Sequence, residues 1–424
     1  MRRLTLFLCL LLGCLLALDA IPALRGGWGW QWPYDPTPLN GRFALLVALM
    51  GGYLLGVVLS RRRGVALQLA WAVLGGVALS LGAVNLRGAP DELLFQRVVS
   101  PVYTGSNAAA VRNMSRVGLA ESLQEWPVLM DELAEGGNIH VALSPPGQPL
   151  VYYGLAQAAT PLGPLTGALD ARLRPLQCTD EEVMRYTRAE MTSTLFGLLM
   201  PLWAALTVFP LFAGARLLGA DQASAARLAQ WWPLVPAGLF FTPSWNTLYP
   251  LLVTGSFAVL VLGLTRRQMR YVLLAGLLMS VATFLNFSVV PALMLMGWYT
   301  LGYWFFIARR GAPAPPFAWT VQVGVWFGAG LSACWVAFWL FSGHTPWAIL
   351  QAAFDQHLSI ERDYWVWLVL HPYDMALFAG WGVVGAGRSR GLAGAWQTAA
   401  RRGPAPGGGA RACAGPDLAH PDAE

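Results

Sequence analysis

Apolar residues fall along this chain in long blocks. Residues 4–18, 43–60 and 65–83 are almost uninterrupted, and further blocks lie near 195–215, 229–242, 247–265, 271–286, 290–308, 317–341 and 366–385. Most approach the roughly 20 apolar residues that a helix needs to cross a bilayer. The pattern predicts an all-α, polytopic membrane protein of about ten transmembrane helices. The first block follows Arg2 and Arg3 and has the length of a signal-peptide core. Leu18-Asp19-Ala20 is a poor small-x-small cleavage site, however, so an uncleaved first span is expected. Two runs exceed one crossing. Thr242-Pro243-Ser244-Trp245-Asn246 interrupts 231–265 and Asn286-Phe287-Ser288 interrupts 271–308, which predicts a tight hairpin at each break. Residues 149–169 are either a further span or a re-entrant helix.

The polar positions divide the chain. N-terminal transmembrane helices occupy 1–86, a large outer loop 87–194, and a helical bundle with an outer segment at 342–365 occupies 195–385. The tail, 386–424, is dominated by Gly, Ala, Arg and Pro, and reads either as a disordered cytoplasmic tail or as a frameshifted end. Arginine placement sets the expected orientation. Twelve arginines (2, 3, 61, 62, 63, 216, 227, 266, 267, 270, 309 and 310) fall on one side and only Arg25, Arg42 and Arg362 in the short turns on the other. Positive residues favour the cytoplasm, so the N-terminus is expected there, in a multi-pass protein of the inner or plasma membrane. The stretch 87–194 then faces outward, carrying 12 of the 22 acidic residues.

Composition agrees with this pattern. The 424 residues are 56% hydrophobic and 12% charged, with a mean hydropathy of +0.49, whereas soluble domains run nearer 25% charged. A soluble enzyme, a disordered chain and a disulfide scaffold are excluded. The net charge of +6 comes from short arginine clusters between apolar runs, so no nucleic-acid partner is expected; the lipid bilayer is. The five cysteines and five histidines have no metal-ligand or redox spacing, and no metal is expected. Apolar blocks almost free of ionisable residues weigh against ion-coupled transport.

Candidate chemistry centres on His140-Val141-Ala142-Leu143-Ser144-Pro145-Pro146-Gly147-Gln148-Pro149-Leu150-Val151-Tyr152-Tyr153. Paired prolines force an extended, stiff approach to a helix, and Gly147 permits close backbone contact. Asp91 and Glu92, ahead of Leu93-Leu94-Phe95, and Asp35 in Trp32-Pro33-Tyr34-Asp35-Pro36 are candidate acid–base carboxylates; the alternative for each is a solvated cap or turn residue. Arg97, His140 and Arg362 are candidate phosphate ligands, since guanidinium matches phosphate oxygens. Trp28, Trp30, Trp32, Trp365 and Trp367 suit sugar stacking or an aromatic belt at the headgroup level.

Taken in order, the Pro-Pro-Gly stretch, the upstream Glu125-Trp126-Pro127, Phe241-Thr242-Pro243-Ser244-Trp245-Asn246, Arg362-Asp363-Tyr364-Trp365 and His371-Pro372-Tyr373-Asp374 resemble the C-type integral membrane glycosyltransferase superfamily. Within it they are similar to an uncharacterised bacterial multi-pass subgroup with a His-Pro-Pro-Gly motif. Here Ser144 stands at the first motif position, and Asn246 at a place where relatives have Asp. The resemblance covers roughly residues 85–382. It implies transfer of a sugar from a polyprenyl-phosphate carrier to an acceptor on the outer face, with no cofactor beyond the lipid-linked donor. It also implies catalytic roles for Asp91, Glu92 or Asp35, and substrate or phosphate contacts for Arg97, His140, Pro145, Pro146, Gly147, Asn246, Arg362 and Asp374. The alternatives are a transporter or lipid flippase, and a non-catalytic, degenerate membrane protein.

Overall fold

The structure is a computed structural model that describes residues 2–99, 106–135, 139–177, 184–242, 244–308, 315–358 and 363–380. Of the described residues 81% are helical. The chain starts with an apolar helix, α1 (Arg2–Ala17), followed by a minimal hairpin of β1 (Gly26–Gly27) and β2 (Trp30–Gln31). Next come α2 (Gly41–Ser60) and α3 (Val65–Asn85), joined by the Arg61-Arg62-Arg63-Gly64 turn. The Asn40 side chain caps α2 by accepting from the Arg42 and Phe43 N–H groups. Glycines let the pair close: a Cβ at Gly56 would run into the Trp71 ring and one at Gly75 into Tyr53.

The polar stretch is folded into helices: α4 (Pro90–Val99), α5 (Ser106–Val117), α6 (Leu119–Gln124), α7 (Trp126–Glu135), α8 (Ile139–Ala142), α9 (Gly147–Ala159) and α10 (Gly163–Leu173). Their cause is amphipathic spacing. In α7, Trp126, Leu129, Met130 and Leu133 are all buried, and the spacing i, i+3, i+4, i+7 puts them on one face. Residues 149–169 divide between α9 and α10 at Thr160-Pro161-Leu162. At 13 and 11 residues the helices are about 20 and 17 Å long, too short to cross a bilayer alone.

Four short helices follow, α11 (Arg188–Ser193), α12 (Leu195–Leu198), α13 (Met200–Ala205) and α14 (Val208–Leu217), which together run as one apolar segment, Arg188–Leu217. Then come α15 (Gln222–Trp231), α16 (Pro236–Phe240), α17 (Tyr249–Arg266), α18 (Met269–Leu285), α19 (Val290–Phe306), α20 (Phe317–Leu331), α21 (Ala333–Ser342), α22 (Pro346–Leu358) and α23 (Tyr364–Ala379). Among the described residues, five segments are long and apolar enough to cross a membrane: Gly41–Ser60, Val65–Asn85, Arg188–Leu217, Trp245–Arg266 and Phe287–Phe306. A sixth is added if α20 and α21, bent by 43°, count as one. This is fewer than the sequence pattern suggests, for local reasons. Residues 229–242 are cut by Pro233 and Pro236 into a 3-10 turn and a five-residue helix. Each proline removes a backbone donor and ends the helix before it. Ala229 packs with Leu69 and Ala72 and Pro233 lies over Gly76, so this broken segment follows α3.

Buried side chains form two main cores. One joins Phe95, Tyr152 and Tyr186 to Trp245, Tyr249, Val272, Met279, Met296 and Val323. The other joins Trp126, Met130 and Val141 to Trp335, Phe338 and Ile349. The stretch 106–142 and the segment around α22 therefore share a core, tied further by Gln356 donating to Asp131 (2.8 Å) and by His344 Nε2 against the Gln124 carbonyl (2.5 Å).

Candidate functional site

The Pro-Pro-Gly turn lies at the contact between the two cores. Every residue from Ser144 to Pro149 is buried. Gly147 opens α9 directly against the end of α18: a Cβ there would fall 2.1 Å from the Phe284 carbonyl oxygen, so the position admits only glycine without movement. Just beyond Phe284, the Asn286 amide donates to Ser144 Oγ (3.3 Å). On the other side, Gln148 Nε2 donates to the Tyr249 hydroxyl (2.5 Å), and its Oε1 accepts from Asn107 of α5 (3.2 Å). One turn along α9, Tyr152 meets Trp245 edge-on at 5.6 Å. Residues 148 and 152 thus pair with 249 and 245, so one face of α9 is matched to the start of α17.

The Pro-Pro-Gly stretch, the 242–246 break and the 286–288 break, separated by about a hundred and forty residues of chain, therefore meet in space. A buried amide needs such partners, because an unmade hydrogen bond costs about 1–3 kcal/mol. Burial drives the Tyr152 hydroxyl well above the ordinary tyrosine range, only partly offset by the Trp245 N–H.

The candidate carboxylates stand around this junction. Asp91 and Glu92 are exposed on the first turn of α4, where the helix dipole favours negative charge. Phe95, one turn on from Asp91, is fully buried in the core that holds Tyr152 and Trp245, so α4 anchors its carboxylates to the same body. Asn246 is exposed beside buried Trp245. Asp35 is exposed in the irregular stretch before α2. Nearby, Arg25 pairs with Asp19 (2.7 Å) and lies 5.6 Å from the Tyr34 ring centre. The Pro243 position, the side chains of Arg97 and His140, and the whole of Arg362 lie outside the described residues, as does the tail from 381 onward. Among the described residues no three His, Cys, Asp or Glu side chains form a group suited to a metal ion.

Asp374 belongs to a second cluster. Trp30 donates its indole N–H to Asp374 (3.1 Å) and stands edge-on to Trp367 (4.8 Å), while Trp32 stacks on Tyr373 (6.1 Å). The Tyr373 hydroxyl donates to the Leu24 carbonyl (2.8 Å). The alternating tryptophans of the hairpin therefore clamp α23.

Asn107, Tyr249 and Asn286 were not singled out as site residues by sequence reasoning. Asn286 sits in a recognised break and offered a signal; Asn107, in an ordinary polar helix, offered none. No family model, no curated protein and no solved structure matches this chain.

Proposed function

We propose that the chain is a membrane glycosyltransferase of the C-type architecture, with about ten membrane-crossing segments, a cytoplasmic N-terminus and the 87–194 stretch outside. It would take a sugar from a polyprenyl-phosphate carrier and pass it to an acceptor hydroxyl at the outer face. One observation carries the reading: the Ser144–Gln148 turn is buried and bonded to Tyr249 at the start of α17 and to Asn286 in the 286–288 break, with the α4 carboxylates mounted on the same core. A helix break lined by polar groups at the end of apolar spans is where a phosphate head and its apolar tail can be held together.

In this reading Asp91 or Glu92 takes the proton of the acceptor hydroxyl as that oxygen attacks the anomeric carbon. The bond from that carbon to the phosphate oxygen breaks, and polyprenyl phosphate leaves. Arg97, His140 and Arg362 are the proposed partners of the leaving phosphate, and Asn246 and Asp374 the proposed acceptor-side contacts. The test is transfer by the purified chain in lipid nanodiscs supplied with a panel of polyprenyl-phosphate sugars. Asp91→Asn or Glu92→Gln is expected to lower the rate by the roughly 10²–10⁴-fold typical of losing a positioned acid–base group. Arg362→Ala is expected to weaken carrier binding by about 1.5–3 kcal/mol, the worth of a charge-assisted hydrogen bond. No transfer from any carrier by the wild type, or unchanged transfer in all three variants at equal expression, returns the chain to the non-catalytic reading.

A further inference from the structure

The helix α22 (Pro346–Leu358) is apolar on two opposite faces. On one, Ile349 and Ala353 are buried in the core that holds Trp126 and Met130 of α7. Gln356, on the same side, donates to Asp131 of α7 (2.8 Å). At 3.6 residues per turn, positions 347, 354 and 358 fall on the side directly opposite. They are Trp347, Phe354 and Leu358, exposed by 69, 53 and 74%. Gln351 and Asp355 border this stripe on one side and His357 on the other. A helix packed on a core by one face and bathed in water by the other carries its polar residues opposite the core. In α22 the polar residues are moved to the flanks, and the line farthest from the core is apolar.

The connection of α22 and its neighbours place this stripe at the membrane. Only Gly343, His344 and Thr345 separate α22 from the end of α21 at Ser342, a reach of about 14 Å even when fully extended. Ser342 is also the end of the bent apolar segment formed by α20 and α21. The start of α22 overhangs a recess of about 490 Å³, where Trp347 and Leu350 face Val290 and Leu293 of α19 and Leu331 of α20. Val290 lies in the first turn of the spanning segment Phe287–Phe306. Trp347 therefore stands level with the entry of that span, the depth at which indole rings collect. From the same recess the exposed face of α19 runs through Val290, Met294 and Trp298, one turn apart each, so the α22 stripe adjoins a surface that lipid covers.

The stripe from Trp347 to Leu358 is about 16 Å long at the helical rise. An amphipathic helix sinks its apolar face only about 5–10 Å into the boundary between headgroups and acyl chains. Both ends of the stripe are covered only when the helix lies along the surface. We propose that α22 is an in-plane membrane helix: Trp347, Phe354 and Leu358 rest in the headgroup–acyl boundary of the lipid bilayer, and the opposite face carries α5–α8. The folded layer of residues 106–142 is thereby seated on the membrane. This seating does not depend on whether the chain transfers sugar.

The experiment uses the full chain in lipid nanodiscs, in a background without the native cysteines, spin-labelled at Phe354→Cys, Leu358→Cys or, on the exposed side of α7, Glu132→Cys. Labels at 354 and 358 are expected to collide severalfold more with oxygen, which concentrates in lipid, than with an aqueous nickel chelate. The label at 132 is expected to show the reverse order. Greater collision with the chelate at 354 and 358 overturns the proposal. So does shielding from both reagents, which marks a protein surface, a second copy included, against the stripe. Should the cysteine-free chain fail to fold, the wild type decides alone. A photoactivated diazirine dissolved in the bilayer is expected to modify the peptide 346–358 and to spare 126–135, and an unmodified 346–358 overturns the assignment.

Discussion

At the residue scale, two glycines on one helix make opposite predictions. Gly147 lies against the α18 backbone, whereas Gly154 has open space around its Cβ position. Gly147→Ala forces α9 away from Phe284 and is expected to cost about 1–3 kcal/mol, the usual range for overpacking. It should also loosen the contacts of Gln148 and Tyr152. Gly154→Ala is expected to add roughly 0.5–1 kcal/mol by removing glycine's entropic cost in a helix. Thermal unfolding of both variants in the same detergent checks the pair, and similar Tm values for the two would contradict the close packing at 147. Gln148→Leu belongs beside them. It deletes the bonds to Tyr249 and Asn107 while keeping apolar bulk, so a loss of about 1–3 kcal/mol is expected from the polar groups it strands.

At the element scale, an apolar segment broken three times still starts at a defined place. The segment from 188 to 217 begins with a capping box: Thr187 Oγ1 accepts from the Glu190 N–H (3.2 Å), and the Glu190 carboxylate accepts from the Thr187 N–H (2.7 Å). Glu190 is 8% exposed, so its charge is held in the interior by satisfying a helix end. Inside the segment, Pro201 sits in the first turn of α13, where a missing N–H is harmless. Thr187→Ala is expected to cost about 0.5–2 kcal/mol, with Glu190→Gln less harmful because it can still accept. Equal losses in the two variants, measured by denaturant or thermal unfolding, would show that the charge matters as much as the cap.

At the scale of the whole molecule, orientation is the most useful quantity to test, because the proposed site depends on it. Single cysteines at Glu132 and Gln268, in a background without the native cysteines, are expected to differ in labelling by an impermeant thiol reagent on intact cells. Glu132, exposed on α7, should label; Gln268, in the arginine turn, should not. The reverse result would put the Pro-Pro-Gly junction on the cytoplasmic side. The tryptophan clamp gives a second test at this scale. Trp30→Ala removes both the bond to Asp374 and the contact with Trp367, so it should make α23 more accessible to proteolysis while leaving the junction at Gly147 intact.

Much of this molecule is legible in its sequence. Hydropathy reports the transfer free energy of each stretch, and that is a local property. It marks the chain as a helical membrane protein, pairs α2 with α3 across Arg61–Arg63, and locates the break at Asn286 and the stiff turn at Pro145-Pro146. It does not report that Pro233 and Pro236 divide the run 229–242 into a 3-10 turn and a five-residue helix. Helices such as α7 escape a spanning-length window because they are short, and the period of Trp126, Leu129, Met130 and Leu133 is what marks them. What the tertiary structure alone decided are the pairings across sequence: Gln148 with Tyr249 and Asn107, Ser144 with Asn286, Trp30 with Asp374. Each depends on which buried polar group finds which partner once the helices have packed. That choice is made by geometry between segments up to 344 residues apart, and no local signal along the chain encodes it.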